Sequence, residues 1–309
     1  MITYWRNGKG IEPCPQWEPE CWVHVENPTQ EERDYLMGEL EIPEAFYNDV
    51  EDVDERPRIE FEDNWFFIIL RLPYHNPADE RVPYSAVPLG IMFKDDVFAT
   101  VCFHQVPVAS DFIQHSVRKG INYADYFDLV LRLMLSSSVW FLKYLKRINV
   151  SISVAERELE QSVKNRDLQS LLRIEKSLVY FTTSLRGNDM LLHRIKNLRN
   201  YKNTYDEDLV EDVEIELRQA METTNVYSDI LSSLTETYGS IISNNLSAVM
   251  KQLTIISLIL MLPTLVASLF GMNVPNGMES NPYGFLIILL ISLVCSLVAI
   301  IYFVKKRWF

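Results

Sequence analysis

Two uncharged windows near the C-terminus constrain this chain more than any other feature. No Asp, Glu, Lys or Arg occurs between Lys251 and Glu279, and none between Glu279 and Lys305. The first window holds LTIISLILMLPTLVASLF (253–270) and the second YGFLIILLISLVCSLVAIIYFV (283–304). At 1.5 Å rise per residue, about 20 mostly apolar residues cross the hydrocarbon core of a bilayer as a helix. Both windows meet that length, so the chain reads as a two-span membrane protein rather than one that buries the pair as a soluble hairpin. The nine residues between the spans, VPNGMESNP (274–282), carry two prolines, a glycine and two asparagines, the composition of a short loop. Lys251 precedes the first span, and Lys305, Lys306 and Arg307 follow the second. The positive-inside rule then predicts cytoplasmic ends and an external loop, with Glu279 as the loop's acid. Tyr283, Tyr302, Trp308 and Phe309 stand where interfacial aromatics are expected. The N-terminal MITYWRNGKG has Arg6 and Lys9 but no apolar stretch behind them, so no secretory signal is expected.

Charge divides the chain the same way. The 309 residues carry a net charge of −13. From Lys251 onward four basic residues stand against one acid, a balance of +3, which leaves −16 on residues 1–250. An acidic protein of this kind lacks the basic face that nucleic-acid binding needs. The four cysteines (Cys14, Cys21, Cys102, Cys295) show no CxxC spacing and read as reduced thiols. The five histidines never pair at i,i+4, so no zinc-enzyme motif is visible. Neither a P-loop nor a nucleophile elbow occurs, and no catalytic His–carboxylate pair stands out, so no enzyme is expected.

The first span is not apolar all round. Ser240, Ser243, Ser247, Met250, Thr254, Ser257, Met261, Thr264, Ser268 and Gly271 recur at spacings of three and four, which is one helix face. Ile255, Ile256, Leu258, Ile259, Leu262, Leu265, Val266 and Leu269 make the aliphatic remainder. Small and hydroxyl residues on one face suit close helix packing, or the wall of a watery pore. The heptad 250, 257, 264, 271 favours helices that meet around a common axis. Pro263 removes one backbone hydrogen bond, which membrane helices tolerate when neighbours or hydroxyls compensate. Upstream, a helical pattern without glycine runs from Asp206 to Tyr238, and Gly239 interrupts it just before the span. A helix over about 206–272 would be roughly 100 Å long, and only a bundle or coiled coil supports that length.

Gly271-Met272-Asn273 stands at the outer end of the first span, after MLPTLVASLF and before a short loop, a second span and KKRWF. This arrangement resembles the CorA family of magnesium transport proteins, whose signature is Gly-Met-Asn in this place. SNNLSAVMKQLT (243–254) looks like the family's membrane-entry segment, and DERPRIEFEDNWFFIILRL (54–72) like its N-terminal strand pair. The resemblance covers essentially the whole chain, with two departures. The family's acidic Met-Pro-Glu-Leu loop element is replaced by VPNGMESNP, and an asparagine common at membrane entry is replaced by Ser247.

The resemblance implies a homopentamer in the plasma (inner) membrane that moves hydrated Mg²⁺ into the cytoplasm. Gly271, Met272 and Asn273 would form the filter. Ser247, Met250, Leu253, Thr254, Ser257, Met261, Thr264 and Ser268 would line or gate the pore. Co²⁺, Ni²⁺ and Zn²⁺ remain alternative cargoes, and a non-conducting membrane-anchored metal sensor is the alternative of a different class. Eight acids, Asp206, Glu207, Asp208, Glu211, Asp212, Glu214, Glu216 and Glu222, crowd the start of the long helix. They suit a solvated helix start favoured by the macrodipole, or a Mg²⁺ sensor between subunits. Gapless matching to the family from Asn273 places Asp212 at its sensor carboxylate, with Asp79 and Glu80 as candidate partners.

Residues 1–120 alternate strand and helix signals. ITYWR, CWVHVE, PRIEF, NWFFIILRL, YSAVPLGIMF and VFATVCF read as strands. PTQEERDYLMGEL and SDFIQHSVRKG read as helices, and Asp95-Asp96 as a hairpin turn. From about 122 to 202 the pattern is helical with a break near Asn165–Asp167, the mark of two long antiparallel helices. The expected fold is an α+β domain (1–120), a helical pair (121–204), a stalk helix (205–252), the pore span (253–273), the loop (274–282), the second span (283–304) and a basic tail (305–309).

Overall fold

In chain order the elements are β1 (Ile2–Asn7), β2 (Ile11–Cys14), β3 (Trp22–Glu26), α1 (Gln30–Gly38), α2 (Glu44–Glu51), β4 (Arg58–Glu62), β5 (Trp65–His75), β6 (Tyr84–Lys94), β7 (Val97–Cys102), α3 (Pro107–Lys119), α4 (Tyr126–Gln161), α5 (Asn165–Asn200), α6 (Glu207–Phe270) and α7 (Gly284–Lys305). This is a computed structural model, and it describes residues 1–79, 81–161, 165–200, 206–273, 277 and 281–306. The chain divides into two units, Met1–Thr235 and Glu236–Phe309.

The N-terminal unit is built on a seven-stranded sheet in the order β2-β1-β3-β7-β6-β5-β4. Every neighbouring pair is antiparallel except β3 with β7. The apolar runs of β5 and β6 are buried almost along their whole length because helices cover both faces of the sheet. β6 and β7 join through the expected Asp95-Asp96 turn, with Lys94 opposite Val97 and Asp95 at a φ of 48°.

α1 and α2 cover one face. Thr29 opens α1 as a capping box, its hydroxyl accepting from the Glu32 backbone N–H (3.3 Å) while Glu32 accepts from the Thr29 N–H (2.9 Å). Glu32 also accepts from the Ile2 N–H at 2.8 Å, which ties the helix start to β1. Phe46 of α2 stacks on Phe67 of β5 with ring centroids 4.4 Å apart. Beneath α2, β6 carries Gly90, where an added Cβ would lie 2.2 Å from Val50 Cγ2. Valine is stiff at χ1 and Val50 is fully buried, so it cannot swing aside. Gly90→Ala is expected to lower the stability of this unit by about 1–3 kcal/mol. Val50→Ala should relieve part of that loss. Thermal melts of the two single variants and the double variant measure the relief as a departure from additivity.

α3, α4 and α5 pack on the opposite face. Trp22 of β3 meets Phe112 of α3 at 6.0 Å, and Phe66 and Phe93 each meet Phe127 of α4 at 5.2 Å. Ser137 of α4 and Asn188 of α5 both bind the Arg71 backbone, while Phe141 meets Phe181 at 4.9 Å. The α4 position rises as the α5 position falls, so the pair is antiparallel as expected. β4 begins at Arg58 opposite Ile69, so past Ile69 the outer edge of β5 has no strand neighbour among the described residues. The Asn188 amide fills that edge. Its Oδ1 accepts from the Arg71 N–H at 2.9 Å, and its Nδ2 donates to the Arg71 carbonyl at 2.9 Å.

Three local expectations are corrected. β2 was not expected, because IEPC is four residues long, contains a proline and pairs only with β1. α2 was also missed, since its eight residues have no side-chain cap, although Phe46, Tyr47 and Val50 are buried. Asn165–Asp167, where the break was expected, belong to the start of α5. α3 contains the expected helical segment from Ser110 and begins earlier, at Pro107, because proline at the first helical position needs no N–H partner.

The second unit holds the end of α6 and α7. α6 is 64 residues long, about 96 Å at 1.5 Å per residue. It passes through Pro263 without ending, and Gly239 does not interrupt it.

Candidate ion pathway

α6 and α7 are the two helices among the described residues that are long and apolar enough to cross a membrane. Within the second unit, α7 covers one side of α6. Ile255 is 1% exposed, and Ile259, Leu262, Val266 and Phe270 are partly covered. Leu258 and Leu262 share a groove with Val294, Cys295, Val298 and Ala299 of α7. Of the aliphatic remainder expected to lie opposite the stripe, α7 thus takes Ile255, Ile259, Leu262 and Val266. Ile256, Leu265 and Leu269 stay exposed.

The polar stripe lies on the far side. Thr254, Ser257, Met261, Thr264 and Ser268 are all exposed. Ser257, Met261, Thr264 and Ser268 each follow a covered residue by two positions, about 200° around the helix. The same face continues inward through exposed Ser240, Ser243, Ser247 and Met250. Three hydroxyls on it donate back to the helix. Ser247 Oγ bonds the Ser243 carbonyl (2.9 Å), Thr254 Oγ1 the Met250 carbonyl (2.8 Å) and Thr264 Oγ1 the Leu260 carbonyl (3.1 Å). A hydroxyl that has spent its hydrogen on its own backbone presents only lone pairs outward. The waters around a cation point their hydrogens outward, so such a face is matched to a hydrated cation.

At the end of α6 the Gly271 N–H donates to the Ala267 carbonyl at 2.9 Å, so helical bonding runs one residue beyond Phe270. An added Cβ at Gly271 would come within 3.0 Å of that carbonyl oxygen. A side chain here would need that carbonyl to give by a few tenths of an ångström. Met272 and Asn273 follow outside the helix, both exposed. Glu279, most of the loop, and the tail from Arg307 to Phe309 lie outside the described residues.

The acidic start of α6 belongs to the N-terminal unit, and its eight carboxylates are not equivalent. Asp206 caps the helix, its Oδ1 accepting from the Asp208 N–H (3.1 Å) and the Leu209 N–H (3.3 Å). Glu214 pairs with Lys196 of α5. Glu207 and Asp208 occupy the first turn, where the macrodipole favours acids. Asp212 is exposed, beside a buried stripe of Leu209, Val213 and Leu217. Of its candidate partners, Asp79 already accepts from the Arg81 N–H (2.8 Å) and the Val82 N–H (3.2 Å) through Oδ1. Glu80 lies outside the described residues.

An α/β unit, a long helix whose apolar end has one hydroxyl face, and a second span packed behind that face place the chain among two-span membrane transport proteins. Residues 18–307 match the model of the family described as CorA-like Mg²⁺ transporter protein, and the chain belongs to that family. It is 25% identical over 315 aligned positions to the cobalt/magnesium transport protein CorA of Thermotoga maritima, covering 97% of this chain and 86% of the relative. The corresponding protein of Methanocaldococcus jannaschii is 21% identical over 299 positions, covering 93% and 90%. The complete structure of the CorA magnesium transporter from Methanocaldococcus jannaschii superposes with a TM-score of 0.84 at 19% identity, over 100% of this chain and 99% of that one.

Proposed function

We propose that this chain forms a homopentamer in the plasma membrane whose α6 helices surround a pore conducting hydrated Mg²⁺ into the cytoplasm. In this reading both termini are cytoplasmic. The observation that carries it is the exposed face of α6 opposite α7, with back-bonded hydroxyls at Ser247, Thr254 and Thr264. Mg²⁺ gives up water reluctantly. Carboxylates in a dry pore would hold the ion too tightly for flux, whereas neutral acceptors can bind and release its water shell. Gly271 and Met272 offer backbone carbonyls at the outer mouth, and Asn273 offers an amide carbonyl. Ser257, Thr264 and Ser268 give further stops along the wall.

A second cargo is supported by the relatives named as cobalt/magnesium transport proteins. Co²⁺ resembles Mg²⁺ in size when hydrated, and a wall that reads water rather than metal discriminates weakly between them. Ni²⁺ and Zn²⁺ follow the same logic. Uptake of Mg²⁺, Co²⁺, Ni²⁺ and Zn²⁺ into liposomes containing the purified protein tests the reading and ranks the cargoes. Absence of uptake for all four, with the protein correctly assembled, would leave the non-conducting sensor.

Cytoplasmic Mg²⁺ also acts as the closing ligand in this proposal, with Asp212 as its carboxylate on the stalk. Acids that meet at a subunit seam repel until a cation joins them. Asp212→Asn is expected to raise the Mg²⁺ concentration giving half-maximal protection from proteolysis by about tenfold, or about 1.4 kcal/mol. Flux at high internal Mg²⁺ should rise with it. Unchanged protection would move the sensor off this residue.

A further inference from the structure

The N-terminal unit places two thiols together that the sequence separates by six residues. Cys14 ends β2 opposite Tyr4 of β1, and Cys21 immediately precedes β3. The segment between them turns back on itself, with prolines at 15 and 19, Glu20 at a φ of 66°, and the Cys21 N–H donating to the Glu18 carbonyl at 3.0 Å. The two Sγ atoms lie 3.3 Å apart, and a Glu18 carboxylate oxygen lies within 4.8 Å of both. We propose that Cys14, Cys21 and Glu18 form a binding site for a thiophilic divalent cation of the Zn²⁺ or Co²⁺ kind, at the sheet edge and separate from the ion pathway.

The spacing suits that chemistry. Metal–sulfur bonds of about 2.3 Å in a tetrahedron set the two sulfurs about 3.8 Å apart. The observed separation reaches that value by a shift of about half an ångström, whereas a disulfide near 2.0 Å needs more than twice as much movement. Glu18 supplies the third ligand and water the fourth. Glu18 is exposed and Cys14 half-buried, so the ion enters from solvent, while buried Cys21 fixes the back of the site.

The site also separates cargo types. Two thiolates with one carboxylate around a dication leave a net charge of −1. Thiolate sulfur suits Zn²⁺ and Co²⁺, whereas Mg²⁺ prefers oxygen and holds its water, so it does not compete for such a set. A channel regulated by Mg²⁺ thereby has a second site that responds to softer ions alone.

The test is titration of the detergent-purified, reduced full-length protein with Co²⁺ in large Mg²⁺ excess, read by the sulfur-to-cobalt charge-transfer band. One Co²⁺ per chain is expected, displaceable by Zn²⁺. The Cys14→Ser/Cys21→Ser chain should lose the band even though Cys102 and Cys295 remain. Glu18→Gln, at an exposed position that folding does not depend on, should weaken binding at least about tenfold. The Asn273→Ala chain should keep the band, which separates this site from the filter. A missing band in the parent, an unchanged band in the double serine chain, equal affinity in Glu18→Gln, or loss of the band to Mg²⁺ overturns the proposal.

Discussion

Asn273→Ala is expected to reduce Mg²⁺ uptake by about three orders of magnitude while leaving assembly intact. The size follows from symmetry. In the proposed pentamer one substitution removes five amides from a single ring. A neutral hydrogen bond contributes about 1 kcal/mol net, so five lost together amount to about 5 kcal/mol, more than three factors of ten. The amides bond the outer face of the ion's water shell, and the methyl groups that replace them offer nothing to it. Assembly should survive because Asn273 is exposed and lies beyond α6, while α7 packs on the helix through Ile255, Ile259, Leu262 and Val266. Flux into liposomes, measured beside the oligomeric state in detergent, checks both parts. Undiminished uptake by a well-assembled Asn273→Ala protein would remove Asn273 from the filter.

The proposed filter has a local signal in the sequence. Three consecutive residues at the end of an uncharged span carry it, and the tight approach at Gly271 is to a carbonyl only four residues away, at Ala267. The polar stripe was equally legible, since a helix turns periodicity directly into a face. The covering of the opposite side by α7 followed the aliphatic positions for the same reason. Strands β5, β6 and β7 stood out because apolar runs bounded by turn residues leave little choice. Legibility stops where the cause is tertiary. β2 exists because β1 offers it an edge, and α2 because the sheet at Gly90 leaves room for Val50. Neither has a strong pattern of its own. The thiol pair belongs to this class too. Six intervening residues match no metal motif, and the doubling-back set by Pro15, Pro19 and Glu20 brings the sulfurs together. In the proposed sensor the partner of Asp212 would come from a neighbouring subunit, which no single-chain pattern encodes.

Met250→Ser and Leu253→Ser are expected to make the channel leak when internal Mg²⁺ is high, by at least about tenfold over the parent. Met250 lies on the polar stripe and Leu253 beside it, near the inner end of the span, and Met261 sits farther along the same face. They are 56%, 55% and 62% exposed, so α7 of the same chain does not cover them. Around a pore axis each becomes a ring of apolar side chains in a tube otherwise lined by hydroxyls. A hydrated ion finds no acceptor at such a ring, and a narrow apolar ring empties of water. Stripping a doubly charged ion of its shell costs far more than the few kcal/mol that separate two conformers of a helix bundle. A small rotation or splaying of α6 that moves these side chains off the axis therefore switches conduction completely. A serine hydroxyl gives the ring an acceptor and lowers that barrier without moving the helix. If Met250 and Leu253 instead pack against a neighbouring subunit, the same substitutions remove buried methyl groups, and both thermal stability and flux should fall. The two readings differ in sign. Flux through thermally stable serine variants at high internal Mg²⁺ decides between them, and no rise there removes these residues from the gate.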